Sequence, residues 1–337
     1  MKSIFGLLYV YSLTLNAAPI KILNWWDFLS EESVKDLKEH GHEINLSVYK
    51  SNDVAVSKLL RNKENFDIAI ISNAIIPSLK QARIISKINL KSIYKRRNYH
   101  SFIKNNDAAC LPYLWSTTIF AFHKNKNTKA IGSLEQLIQL KNKGYTIGII
   151  DDKLEVWSRI LGDMHGLSLQ RSTYKTLSKS SFATHLKKYR LNAKEFQSNI
   201  GETLQGAKAA VYGWHGAVLS SLKKPVGQQI ALSIPEKRPV IGYDMICMLN
   251  TNKSAAHKLK VKKFIERLSN KKNTTFNGMY SQYFSPYKKH NDYLIPPFKN
   301  LYKDLEKKLK FTKPLILNSP TTEEHKQINK WWSHVRY

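Results

Sequence analysis

The chain reads as an α/β protein of two lobes, and three observations lead there. Its 337 residues, 42% of them hydrophobic, are more natural for two cores than for one. From Lys21 to Ile71 short apolar runs alternate with segments of helical spacing, the order of a βαβαβ unit. A comparable pattern of helix then strand starts afresh at Ser133 and marks a second lobe.

In order, Lys21 to Asn24 is the first strand, and Ser30 to His40 is a helix with Gly41 placed to end it. Ile44, Leu46 and Val48 alternate with polar residues as a second strand does. Asn52 to Leu60 follows as a helix, with Asp53 expected to cap it. Phe66 to Ile71 is almost continuously apolar, which predicts a strand covered on both faces. In the second unit Ser133 and Gln136 form a capping box ahead of Leu137, Ile138 and Leu140, and Tyr145 to Ile150 is the next strand. Lys208 to Tyr212 and Val240 to Leu249 read as strands. Ser254 opens a helix carrying Val261, Phe264, Ile265 and Leu268 at helical spacing. Lys308 to Trp332 is broken by proline and then helical, a C-terminal strap.

Composition narrows the function classes. Met1 to Ala18 carries Lys2 near its start, runs apolar and ends in two alanines, the layout of a secretory leader; the competing reading is a buried N-terminal element. No cysteine follows the apolar run, and no later run reaches the roughly 18 apolar residues of a membrane span. An exported protein resident in the periplasm and not spanning the membrane is expected. Cys110 and Cys247 allow one disulfide in an oxidising compartment or two separate buried thiols, and the sequence leaves both open.

The 54 basic and 25 acidic residues give a net charge of +29. Such a balance fits nucleic acid or an anionic membrane surface. The lysines, however, are scattered along the chain without nucleic-acid motifs, so solvated side chains are expected and no nucleic-acid partner. Walker loops, H-E-x-x-H, paired CxxC and nucleophile elbows are absent, and nothing singles out a glycosidase pair of carboxylates. A protein that is not an enzyme, with neither cofactor nor metal, is expected.

Ligands of open α/β sheets bind beyond the carboxyl ends of the strands. There this chain places Trp25, Trp26 and Asp27, then Ser51 to Asp53, Ser72 and Asn73, Asp151 and Asp152 with Glu155, Trp214 to Gly216, and Tyr243 and Asp244. Carboxylates and rings in an otherwise basic chain suit an organic cation, whose ammonium needs compensation on leaving water and gains about 0.5 to 2 kcal/mol against an aromatic face. Asp152 to Glu155 also has the spacing of a helix cap. Trp25 and Trp26 are adjacent on an extended chain, so only one of them faces a cleft. His215, with no other ligands in register, reads as structural.

The ordered segments L-N-W-W-D-F (23–28), Y-K-S-N-D (49–53), F-D-I-A-I-I-S (66–72), L-P-Y-L-W-S-T-T (111–118), D-D-K-L-E-V (151–156), Y-G-W-H-G (212–216), G-Y-D-M (242–245) and Y-F-S-P (283–286) carry a resemblance. Over nearly the whole mature chain they resemble the spermidine/putrescine-binding proteins of polyamine ABC importers. The resemblance implies a type II periplasmic binding fold, with crossovers near Phe122 and Asp244. It divides the chain into a leader (1–18), one lobe of 19–121 plus 245–293, and a second of 122–244 plus 294–337. It implies a monomer that captures a polyamine by lobe closure and delivers it to an ABC permease and its ATPase. The implied ligand contacts are Trp25, Asp27 and Phe28, Ser72, the acidic pair Asp152 and Glu155, Trp214, Asp244, Tyr283 and Asn318. Trp26, also counted among the ligand contacts, stands where a small hydroxyl residue is usual, Ala74 where a tyrosine packs and Gly242 where a tryptophan stacks, a loss of two rings that weakens the aromatic box unless Trp26 or Tyr243 fills the space. The alternatives are another small cation, an amino-acid-like solute or an anion in the same fold, or a basic exported protein adhering to polyanions.

Overall fold

Strand β1 (Ile20–Trp25) opens the computed structural model, which describes residues 18–95, 97–103, 108–125, 130–165, 193–197, 200, 204, 209–222, 229–294, 296–317, 319–320 and 322–336. Most of the expected leader and Asn318 lie outside the described residues. Helix α1 (Glu31–Glu39) begins where Ser30 Oγ accepts from the Ser33 amide at 3.1 Å. It is followed by Gly41 at φ +75°, a left-handed conformation that glycine adopts without steric cost.

Strand β2 (Ile44–Tyr49) runs parallel to β1 at the sheet edge. Its alternation predicts the strand but not the buried side, because Leu46 and Val48 are each 43% exposed while Tyr49 is buried. Helix α2 (Asn52–Asn62) corrects a second expectation. Its cap is Ser51, whose Oγ accepts from the Val54 amide at 3.3 Å. Asp53 sits two residues further in, within the first turn, and reaches Lys153 Nζ at 3.3 Å. Strand β3 (Ile68–Ser72) is buried along its whole length between β1 and β9, as a continuous apolar run requires.

Beyond α3 (Ile76–Gln81) and α4 (Lys91–Lys95), the fourteen buried residues of β4 (Cys110–His123) cross the molecule. The second unit follows with α5 (Leu134–Asn142), β5 (Ile147–Ile150) and α6 (Lys153–His165). The capping box of α5 is half as expected: Ser133 Oγ accepts from the Gln136 amide at 3.2 Å, but Gln136 Oε1 accepts from Gly132 rather than from Ser133. Next come β6 (Phe196–Gln197), β7 (Ala210–Trp214), α7 (His215–Leu222), β8 (Ile230–Ser233) and β9 (Val240–Met248). The chain continues through α8 (Ala255–Leu268), α9 (Lys271–Ser281), α10 (Pro296–Phe311), β10 (Leu315–Ile316) and α11 (Thr322–Arg336).

The strands follow the order β2-β1-β3-β9-β4-β7-β5-β6, with β10 on β9 and β8 on β4. Two antiparallel strands, β4 and β9, join the halves. Cys110 to Thr117 pair with β9, whereas Thr118 to His123 pair with β7 and β8. On β9, Asp244 to Met248 pair with β3, and Val240 and Ile241 with β10. Cys110 and Cys247, direct register partners, are joined in a disulfide, so one of the two readings open at the sequence level is realised.

Helix α8 packs Phe264 and Ile265 into one core with Ile22, Leu37 and Ile68. In another, Trp331 of α11 meets Trp157 of α6 at 4.9 Å between ring centroids. Helix α10 sets Tyr302 against Phe284 at 5.0 Å and Trp115 at 6.3 Å.

Candidate functional site

Strands β1, β3 and β9 bring Trp25, Ser72 and Asp244 together, with Ser72 and Asp244 direct register partners. Trp25 Nε1 donates to Asp244 Oδ1 at 2.9 Å, which orients the carboxylate. The Trp25 ring lies 4.4 Å from Tyr49 and 6.0 Å from Phe28, and Phe28 lies 4.7 Å from Tyr283. Tyr113 pins the turn after β1 by donating from its hydroxyl to the Phe28 carbonyl at 2.6 Å. Trp25 thus joins one oriented acid to a run of four packed rings.

Asp244 is 8% exposed. Burial pushes its carboxyl up to about 7, against the Trp25 hydrogen bond and with help from the negative charge of Asp27. Asp27 is likewise raised, to about 6, by burial. Neither acid is within ion-pair distance of a lysine or arginine among the described residues. Two neighbouring carboxylates, Asp244 buried and Asp27 half-buried, without a compensating cation among the described residues form a site that an ammonium would complete.

A second acidic group stands at the start of α6. Asp152 Oδ1 accepts from the amides of Leu154 at 3.0 Å and Glu155 at 3.1 Å, so it caps the helix, and burial raises its carboxyl. The Glu155 side chain does not reach back to complete a capping box. Its Oε1 accepts from Thr118 Oγ1 at 2.6 Å and from the Tyr212 hydroxyl at 2.8 Å. Burial pushes Glu155 up to about 8, opposed by those two hydrogen bonds. Arg159, one turn on, is occupied elsewhere, pairing with Asp163 at 2.7 Å and donating to the Arg238 carbonyl at 2.6 Å. Glu155 Oε2 is buried without a hydrogen-bond partner.

Two glycines set the aromatic walls. A Cβ at Gly216 would lie 2.1 Å from Tyr283 Cε2, so the Tyr283 ring occupies that space only because residue 216 has no side chain. A Cβ at Gly242 would approach Trp214 Cη2 to 3.1 Å. The Trp214 ring therefore lies over the backbone where a larger residue 242 would stand. Trp26 is 57% exposed and Tyr243 is buried in the core, so the ring standing over Gly242 is that of Trp214. Trp25 and Trp26 do diverge as neighbours on an extended strand must.

Ser72 is buried, its hydroxyl accepting from the Ala74 amide at 3.3 Å, and Ala74 is itself in the core. Asn73 joins three segments: its Nδ2 donates to the Leu317 carbonyl at 2.6 Å and its Oδ1 accepts from the Tyr243 amide at 3.2 Å. His215 is structural, its ring 3.9 Å from Phe284 and its Nδ1 accepting from the Thr117 amide at 3.3 Å. Burial lowers its pKa to about 3, so it is neutral. Tyr49, Tyr113, Thr118 and Tyr212 escaped the sequence reading as site residues, although all four lie within the quoted segments. No group of three or more His, Cys, Asp or Glu residues is placed to hold a metal among the described residues.

No family model matches the chain. It is 25% identical over 264 residues, 71% of this chain and 70% of the relative, to a putrescine/agmatine-binding protein of Pseudomonas aeruginosa. It is 23% identical over 266 residues, with 71% and 70% covered, to a putrescine-binding periplasmic protein of Escherichia coli. Among solved structures it matches a spermidine/putrescine ABC transporter protein from Listeria monocytogenes with a TM-score of 0.74 at 18% identity, covering 94% of this chain and 98% of that one. The fold is that of a type II periplasmic binding protein. In this chain β4 and β9 are the strands shared by both halves of the sheet. The likeness read from the ordered motifs therefore reappears in independent comparisons of sequence and of structure.

Proposed function

We propose that this chain is the substrate-binding component of a polyamine importer, taking putrescine or a longer homologue between its lobes. The lobes close about β4 and β9, with residues 19–121 and 245–293 on one side and 122–244 and 294–337 on the other. Export to the periplasm and delivery to a permease and its ATPase complete the reading, and the role is capture rather than catalysis. The pair of half-buried Asp27 and buried Asp244, beside Trp25, Phe28 and Tyr283 and without a cation in ion-pair distance among the described residues, carries it. Carboxylates compensate a desolvated ammonium while rings cover the methylene stem, so a linear di- or tricationic amine matches both needs. The curated relatives, which bind putrescine, support the same ligand class.

A second reading within this fold, an organic cation other than putrescine or spermidine, draws on Gly242 and Ala74, where two expected rings are missing. A thermal-shift panel separates the two readings, because only a true ligand stabilises by mass action. Stabilisation by putrescine or spermidine supports the first. A response confined to another cation supports the second, and a response only to neutral or anionic solutes overturns both.

A further inference from the structure

The C-terminal half of α10 carries a surface that the ligand-binding reading does not use. Phe311, its last residue, is 84% exposed, the most exposed large hydrophobic side chain in the described structure. Lys299, Lys303, Lys307 and Lys310 precede it at spacings of four, four and three, and all are exposed. Such spacing puts them on the helix face that ends in Phe311, opposite the buried Leu301, Tyr302 and Leu305. Lys313 follows, also exposed.

Acidic residues do little to offset this face. Asp304 lies on its border, while Glu306 accepts from the Tyr302 hydroxyl at 2.8 Å. Lys308 turns inward to the Glu236 carbonyl at 2.5 Å. The helix end is firmly held, since Arg238 donates to the carbonyls of Lys313 at 2.6 Å and Pro314 at 3.0 Å. Phe311 is thus presented to solvent by an anchored terminus. Lysines at a helix C-terminus also favour its dipole, but that accounts for the charge and leaves the outward phenyl ring unexplained.

We infer that the solvent face of α10 docks on an anionic phospholipid bilayer, with Lys303, Lys307, Lys310 and Lys313 over the headgroups and Phe311 inserted at the acyl boundary. A flat anionic surface with an apolar interior complements a row of cations ending in a ring. Each lysine near such a surface strengthens binding by about fivefold and is screened by salt. Surface attachment of this kind would hold the protein in a thin layer beside the membrane, whatever the cleft binds.

The test is co-sedimentation of the mature protein with phosphatidylcholine vesicles that contain or lack phosphatidylglycerol, across a salt series. Binding is expected only with the anionic lipid and is expected to weaken with salt. F311S should reduce it about tenfold, the cost of leaving one aromatic side chain in water. K307E/K310E should abolish it, whereas K87E/K91E, an equal charge change at exposed lysines elsewhere, should retain most of it. All three variants change exposed side chains, and unchanged melting temperatures confirm that they fold. No sedimentation with either lipid overturns the inference. So does equal loss in both charge-reversal variants with no effect of F311S, which identifies diffuse adherence to polyanions. A dimer in light scattering that F311S dissolves, without lipid binding, overturns it in favour of self-association.

Discussion

At the residue scale, Asp244 decides what the site can hold. Burial raises its carboxyl and that of Asp27, the charge of Asp27 adds to the shift of Asp244, and a bound ammonium would oppose both shifts. Asp244→Asn keeps the shape and removes the charge, so polyamine affinity is expected to fall by a few kcal/mol, read by calorimetry. Trp25→Phe keeps a ring but deletes the donor to Asp244, and is expected to cost about 1.5 to 3 kcal/mol of binding. The pH dependence has opposite signs with and without ligand. Without ligand, the native protein holds protons on Asp27, Asp244 and Glu155 that the unfolded chain releases near its ordinary carboxylate values, so their contribution to stability falls as pH rises from about 4 to 8. With ligand, the ionised acids are preferred, so affinity is expected to rise over the same window with proton release on binding. Calorimetry in buffers of different ionisation enthalpy checks this, and proton uptake on binding would contradict it.

The sequence reveals Trp25 and Asp27 because an acid and a ring at the end of β1 stand out in a basic chain, whereas Asp244 lies in the middle of β9 and is carried by the resemblance. Glu155 is legible only in part. Its spacing from Asp152 predicts a cap, whereas its partners Thr118 and Tyr212 come from strands far away in sequence. The Trp214 ring over Gly242 is equally hidden, since the compensation for a lost side chain arrives across a sheet.

At the scale of elements, local signals are read well and the choice among neighbours less so. Ser30, Ser133 and Ser254 cap the helices they precede. Asp53 and Ser51 both suit a cap, and which one closes the turn depends on a shift of two residues. Ser51→Ala is therefore expected to destabilise the protein by about 1 kcal/mol in urea unfolding. In β2 the periodicity is correct but the buried side is not, because a strand at the sheet edge has few neighbours to cover Leu46 and Val48. Gly216→Ala is expected to displace Tyr283 and to cost about 1 to 3 kcal/mol of stability, with polyamine affinity falling as the aromatic wall shifts.

At the scale of the whole molecule, β4 and β9 are shared by both halves of the sheet, and the disulfide ties them together at Cys110 and Cys247. It spans 137 residues of sequence, so in the chain-entropy account its reduction removes about 5 kcal/mol from stability. A fall in unfolding midpoint under reducing conditions, with affinity retained in the folded protein, is the expected outcome. Sequence order suffices to suggest two lobes, but β10 is too short to announce itself, and its pairing with β9 appears only in three dimensions. The central claim is that buried acids within an aromatic frame make this chain a polyamine receptor. Calorimetric titration of refolded, ligand-free mature protein with putrescine and spermidine tests it most directly. Saturable one-to-one binding that Asp244→Asn weakens is the predicted result, and a folded protein giving no heat with either amine would contradict it.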